Sequence, residues 1–117
     1  MSKNKILIEV ELDEKKVPEK IIWNADADRS AANLECKAFV LNIFDKKSKD
    51  TLELDLWTKE MQVIEMDRFI FQSLNSMADM YYRATKNQNL ANEMKNFIQW
   101  FGEQTGIINN ENSYSGG

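Results

Sequence analysis

The chain contains no histidine, and its 117 residues include only one cysteine, one proline and four glycines. Histidine is the commonest general base and zinc ligand, so its absence excludes serine-histidine and cysteine-histidine catalysis and histidine-built zinc sites. All four glycines lie at or after Gly102, so there is no glycine-rich phosphate loop. We therefore expect no enzyme, no catalytic residue, no cofactor and no resident metal.

The single cysteine, Cys36, cannot form an intrachain disulfide or a thiolate cluster. It lies beside an apolar segment, which predicts a buried, inert thiol in a protein of a reducing compartment.

An excess of basic charge is also missing, as is any long apolar run. Nineteen acidic against fifteen basic residues give a net charge of -4, which argues against nucleic acid as a partner. No segment approaches the ~18 to 20 apolar residues of a membrane span, so no membrane insertion is expected. The first twenty residues are charged and lack the apolar core of a signal peptide. We expect a soluble, cytoplasmic protein.

The first half of the chain has the patterns of β-strands. Residues 6–12 alternate with four aliphatic side chains on one face, and residues 20–23 form a brief second strand. Residues 36–44 are almost continuously apolar, which is typical of a strand at the centre of a sheet. In residues 52–56 leucines alternate with acids, so this segment is expected to pair with the preceding one as an antiparallel hairpin. The patterns predict an antiparallel sheet of about four strands.

Two amphipathic helices follow the predicted strands. The first begins between residues 61 and 64, and its apolar stripe consists of Met66, Phe69, Ile70, Ser73, Leu74, Met77, Met80, Tyr81 and Ala84. Phe71 and Tyr82 fall off that stripe. The second spans about residues 90–101, with Gly106 as its stop. Strands in a run followed by helices predict an α+β fold with two C-terminal helices packed on one face of the sheet.

The length predicts one domain, residues 1–108. Residues 109–117 are polar and without periodicity, which predicts a disordered tail.

Two groups of oxygen-bearing side chains raise the question of a cation site. Residues 24–35 place such side chains at positions 1, 3, 5, 7 and 12 of a calcium loop, but the glycine of position 6 is missing. A hydrolase using a divalent metal would need Asp26 and Asp28, or Glu53 and Asp55. An ordinary solvated loop and a solvent-facing strand side explain both groups without a metal.

Four segments of the chain resemble one known family. Residues 54–61 read LDLWTKEM, residues 77–79 read MAD, and residues 83–85 read RAT. The stretch from Val10 to Lys20, with VELDE and then VPEK, is similar as well. With these segments the chain resembles GldC, the small gliding-motility protein of Bacteroidetes, over about residues 5–104.

The resemblance implies an accessory component of the gliding machinery, a system linked to the secretion of surface adhesins, with no known enzymatic activity. Its role would then be binding, either to a protein of that machinery or to a second copy of itself. Polar side chains in a loop are not required for core packing, so contact with a partner explains them better. The predicted contact residues therefore lie between the last strand and the first helix: Trp57, Thr58, Lys59, Glu60 and Met61.

An alternative function is a chaperone that holds unfolded export clients. The order of strands and then two helices, together with the acidity, is similar to SecB, which acts as a tetramer. Architecture alone does not fix function, so the two hypotheses stay open at the level of the sequence.

Overall fold

The computed structural model describes residues 2–25 and 33–109. In chain order the elements are β1 (Ile6–Leu12), β2 (Pro18–Ala25), β3 (Leu34–Cys36), β4 (Ala38–Phe44), β5 (Thr51–Trp57), α1 (Val63–Thr85) and α2 (Gln88–Thr105). The predicted α+β class is confirmed. Internal contacts divide the chain into two compact units, Met1–Met61 and Gln62–Gly117, and the single domain predicted for residues 1–108 stays a prediction.

Two predicted features fall largely outside the described residues. Positions 26–32 of the candidate calcium loop, residues 24–35, are among them. So is the predicted tail, residues 109–117, apart from Asn109.

Strands β1, β2 and β3 form an antiparallel sheet in that order. Its register places Val10 opposite Ile21 and Ile21 opposite Cys36. Cross-strand neighbours point to the same side, so these three residues share the apolar face of the sheet. Ile21 is fully buried at the middle of this row. Cys36 is half-buried, and desolvation raises the pKa of its thiol.

Strands β4 and β5 form a separate two-stranded antiparallel sheet. The apolar run that predicts one strand over residues 36–44 is divided at Lys37, because residues before it pair with β2 and residues after it pair with β5. The turn between β4 and β5 is closed by Asp45, whose Oδ2 accepts hydrogen bonds from the N–H groups of Lys47 (3.0 Å) and Ser48 (2.8 Å). Residues 2–25 and 33–109 thus form five strands in two sheets, where the sequence predicts about four in one.

Helix α1 begins and ends with local hydrogen bonds that satisfy its terminal backbone groups. Gln62 and Glu65 form a capping box in which the Gln62 N–H donates to Glu65 Oε1 at 3.0 Å. Lys86 takes the left-handed conformation (φ 60°) at the end of the helix. Asn87 then caps α2 by accepting a hydrogen bond from the Leu90 N–H at 3.1 Å. A link this short makes α1 and α2 an antiparallel helical hairpin.

The core of this hairpin consists of Phe71, Ala78, Ile98 and Ile108. Phe71 is only 3% exposed, which makes the prediction that it lies off the buried stripe wrong. Helix α1 packs on α2 through the face of Phe71 and Ala78, one residue and so about 100° round from Ile70 and Met77. Those two residues of the predicted stripe remain exposed. Between Ser2 and Asn109, outside the gap at 26–32, neither helix combines the length and apolar character needed to cross a bilayer.

Candidate protein-binding site

The five predicted contact residues form the junction segment, residues 57–61, which leads from β5 toward α1. Backbone hydrogen bonds fix its path. The Thr58 N–H donates to the Lys37 carbonyl at 2.8 Å, and the Lys59 N–H donates to the Pro18 carbonyl at 3.2 Å. The Met61 N–H donates to the Thr58 carbonyl at 3.0 Å, which closes a turn. The segment is therefore anchored both to the start of β2 and to the break between β3 and β4.

The side chain of Lys59 makes two ion pairs with the turn between β1 and β2. Its Nζ lies 3.1 Å from Asp13 Oδ2 and 3.4 Å from Glu19 Oε1. The other oxygen of the Asp13 carboxylate accepts hydrogen bonds from the N–H groups of Lys15 (2.8 Å) and Val17 (3.0 Å). Asp13 thus connects the shape of this turn to the position of Lys59.

These contacts shift the pKa values of both partners in the expected directions. The Val17 N–H and the Lys59 ammonium stabilise the carboxylate and lower the pKa of Asp13 below its ordinary 3.8. The hydrogen bond to Asp13 and the charge of Glu19 raise the pKa of Lys59 above its ordinary 10.5. Both groups are therefore charged near neutral pH, as the ion pair requires.

Thr58 is buried, with 1% of its surface exposed. Its Oγ1 has no hydrogen-bond partner among the described residues. The ion pairs give Lys59 a structural role, and no contact within the described residues explains the buried Thr58 hydroxyl. Contact of all five residues with a partner stays a prediction.

Trp57, Lys59 and Glu60 are the exposed members of the junction segment. Trp57 is 54% exposed at the end of β5, Glu60 is exposed, and Met61 is half-buried. An open, mostly polar concavity of about 610 Å³ lies beside Lys59, and its lining includes Leu12, Asp13, Glu14, Lys15, Glu19 and Lys59. Sequence reasoning missed the β1–β2 turn as part of this site. The opposite charge of Asp13 and Lys59 is the signal by which the sequence could have indicated it.

The Asp13 contacts predict a specific acid response. Because the folded pKa of Asp13 is lowered, its ionised form contributes stability above about pH 4, and this contribution is lost as pH falls through the folded pKa. We expect Asp13→Asn to unfold more easily than wild type near neutral pH, with the difference shrinking as pH falls through the lowered pKa of Asp13. Chemical denaturation at a series of pH values measures this convergence.

Glu14→Gln is the matched control, because it removes a carboxylate from the same turn but none of the contacts of Asp13. Its stability should differ from wild type by a small, nearly constant amount. A pH-independent deficit in Asp13→Asn would contradict the assigned role of the ionised carboxylate.

The acidic pair that the sequence offers as a metal site lies on one face of β5. Asp55, through a hydrogen bond and its negative charge, raises the pKa of the neighbouring Glu53 carboxyl. Within residues 2–25 and 33–109, no three or more acidic or cysteine side chains are grouped to hold a metal ion. The second candidate pair, Asp26 and Asp28, lies outside the described residues.

Comparison with known proteins identifies the family. Residues 18–107 match the family described as gliding motility-associated protein GldC-like. Neither the curated proteins nor the solved structures give a match. The matched region starts at Pro18, whose carbonyl accepts the Lys59 hydrogen bond, and extends through β2, β3, β4, β5 and both helices, whereas β1 precedes it. The chain belongs to the GldC-like family of gliding motility-associated proteins.

Proposed function

We propose that this chain is a non-enzymatic accessory protein of the gliding machinery that works by binding another protein of that machinery. The observation that carries the proposal is the family match over residues 18–107, which associates the chain with gliding motility. A cytoplasmic location belongs to the proposal, and the single half-buried thiol of Cys36 fits a reducing compartment.

The proposed contact surface centres on Trp57 and Glu60. Exposed tryptophans dominate many protein interfaces, because they bury a large apolar area with few rotatable bonds. Trp57 projects from a strand end whose next residues are held by the Lys37, Pro18 and Asp13 contacts described above. A surface that is already ordered loses little conformational entropy on binding. The ion-paired Lys59 therefore acts as a positioning residue for this surface.

The test is a complementation experiment in a gliding bacterium from which the gene has been deleted. We expect Trp57→Ala to fold normally but to recover a partner about 30-fold less efficiently in a quantitative pull-down, as for the loss of a hot spot of ~2 kcal/mol. Gliding speed should fall with partner recovery. Circular dichroism of the purified variant establishes that the fold is intact.

Trp100→Ala is the matched control, because Trp100 is the same residue type and is also 54% exposed, but lies on α2. It should support gliding and partner recovery. Equal recovery with both variants would contradict the proposed surface, and normal gliding of the deletion strain would contradict the accessory role itself. Lys59→Glu is unsuitable as a test, since a third carboxylate beside Asp13 and Glu19 would disturb the fold.

The chaperone alternative, a SecB-like holder of unfolded clients, stays a prediction. The specific observation in its favour is the amount of exposed apolar side chain on β4 and β5, including Phe44 and Leu52. It requires that the purified chain suppress aggregation of an unfolded protein at near-stoichiometric ratio. Under the accessory proposal, added chain leaves such aggregation unchanged.

A further inference from the structure

One face of the β4–β5 hairpin is entirely apolar. Its cross-strand pairs are Phe39 with Leu56, Leu41 with Leu54, and Ile43 with Leu52. We call these six side chains the apolar ladder. Four of them, Leu41, Ile43, Leu52 and Leu54, are between 40% and 62% exposed. Two consecutive uncharged rungs therefore lie open, and the third, Phe39 with Leu56, is half-buried.

The opposite face of the same hairpin contains its polar residues, together with Ala38, Val40, Phe44 and Trp57. Glu53 faces Asn42, and Asp55 faces Val40. Strands that separate apolar from acidic side chains in this way are covered on the apolar side and face water on the acidic side. A two-stranded hairpin is also marginally stable unless its apolar face is packed against something. The ladder is thus the side on which a covering surface is expected.

The ladder continues into the apolar side of the three-stranded sheet. An apolar concavity of about 210 Å³ is lined by Ile6, Ile8, Trp23, Cys36, Ala38 and Phe39. Phe39 belongs to the ladder, whereas Ile8 and Trp23 are paired neighbours on β1 and β2. The break at Lys37 shifts the alternation by one residue, which keeps the apolar sides of both sheets on the same side.

We propose that the apolar ladder is the contact surface for a second copy of this chain. A flat, uncharged β face is complemented by another β face, which packs about 10 Å away. A second copy supplies that surface in an isologous, two-fold arrangement, in which each ladder covers the other. This inference goes beyond the proposed role in gliding and does not depend on it.

Charge favours the same arrangement. The chain has a net charge of -4, so contacts between acidic surfaces of two copies would be repulsive. Packing ladder on ladder leaves Glu53 and Asp55 of each copy on the outer side of the pair, separated by both sheets. A basic partner, in contrast, would gain more from the acidic face than from the ladder.

The available area is enough for a reversible dimer. Two seven-residue strands cover roughly 23 Å by 10 Å. On the apolar side of β1 and β2, where Ile21 is already buried, the exposed side chains of Ile6 and Trp23 add to this area. Two copies would therefore bury on the order of 1,000 Å² in total, which is the lower limit for a specific interface. We expect association in the micromolar range, so the mass should depend on protein concentration.

The test is sedimentation equilibrium of the purified full chain from about 1 to 200 μM, a range that brackets micromolar association. Wild type should pass from 13.7 kDa at low concentration to at least twice that mass. Leu41→Lys should weaken association at least tenfold, because it places a charge in the middle rung. Val40→Lys is the matched control: Val40 is the adjacent residue, is equally exposed at 40%, and lies on the acidic face opposite Asp55.

Two results would overturn the proposal. One is a wild-type chain that remains at 13.7 kDa over the whole range, which would leave the ladder to a different protein or to an unfolded client. The other is equal association by the two lysine variants, which would place the interface elsewhere. The wild-type measurement requires no substitution, so it decides the question even where Leu41→Lys fails to fold.

Discussion

Replacing Ile21 by alanine is expected to lower the free energy of unfolding by about 2–5 kcal/mol. Ile21 is fully buried on β2, between Val10 of β1 and Cys36 of β3. Its loss removes the centre of the apolar row and leaves a cavity that three hydrogen-bonded strands cannot close. Small domains are stable by only ~5–15 kcal/mol, so urea denaturation should show a large fall in the midpoint.

Ile22→Ala is the control, because it makes the same chemical change one residue away. Ile22 points to the other side of the sheet, where it lies between Glu9 and Glu35. It is only half-buried, so the expected loss is below about 1.5 kcal/mol. Equal losses in the two variants would mean that the core of this unit is not on the Ile21 side.

Alternation along the chain is sufficient to predict most of the strands. Residues 6–12 are a strand as predicted, and the segment predicted at 52–56 extends by one residue at each end in β5. The break at Lys37 could not be predicted, because the residues around it are apolar on both sides. Its cause is non-local: the Lys37 carbonyl accepts a hydrogen bond from Thr58, 21 positions later in the sequence.

Helical periodicity predicts that a stripe exists but not which partner covers it. Helix α1 has apolar residues around more than half of its circumference, so the stripe through Ile70 and Met77 and the face of Phe71 and Ala78 are both candidates. Contact with α2 selects the second face and buries Phe71. The identity of the buried face depends on tertiary contacts that no single segment encodes.

The candidate site, too, could be predicted only in part from the sequence. The residue types at positions 57–61 predict a contact site, and the structure shows that Lys59 in this segment contacts Pro18 and Asp13 around the β1–β2 turn. Which of these residues make contacts within the chain depends on the three-dimensional structure. Thr58 and Lys59 stabilise the site through Lys37, Pro18 and Asp13, whereas Trp57 is the large accessible side chain. From the sequence alone, a lysine in a loop suggests contact with a partner. The structure shows that Lys59 also forms ion pairs with Asp13 and Glu19 of the same chain.

Replacing Phe71 by alanine is expected to cost about 3–5 kcal/mol, the largest single effect in the helical unit. Phe71 lies in the core with Ala78 and Ile98, and its ring edge faces the backbone of α2 at Gly102. Phe97→Ala is the control on the same unit, since Phe97 is 53% exposed and its ring lies beside those of Trp100 and Phe101, with 5.8 and 6.4 Å between centroids. That loss should stay below about 1.5 kcal/mol.

Gly102 explains why the Phe71 site is so sensitive. A Cβ at position 102 would lie 2.7 Å from Phe71 Cε1 and 2.6 Å from Ile108 Cδ1, both closer than real contacts allow. Gly102→Ala should therefore destabilise by about 1–3 kcal/mol through overpacking. In the double variant Phe71→Ala, Gly102→Ala, the new methyl group and the Ile108 side chain can enter the space that the ring leaves.

We thus expect the double variant to be more stable than the sum of the two single losses predicts, by about 1 kcal/mol or more. Thermal and chemical unfolding of the four proteins of the cycle measure this coupling. Additive losses would mean that the ring and the glycine do not share one space. A combined loss smaller than the sum would show that the Phe71 ring and a side chain at position 102 compete for the same space. Glycine at position 102 would then be what allows α2 to approach α1 on the Phe71 face and not on the face of Ile70 and Met77.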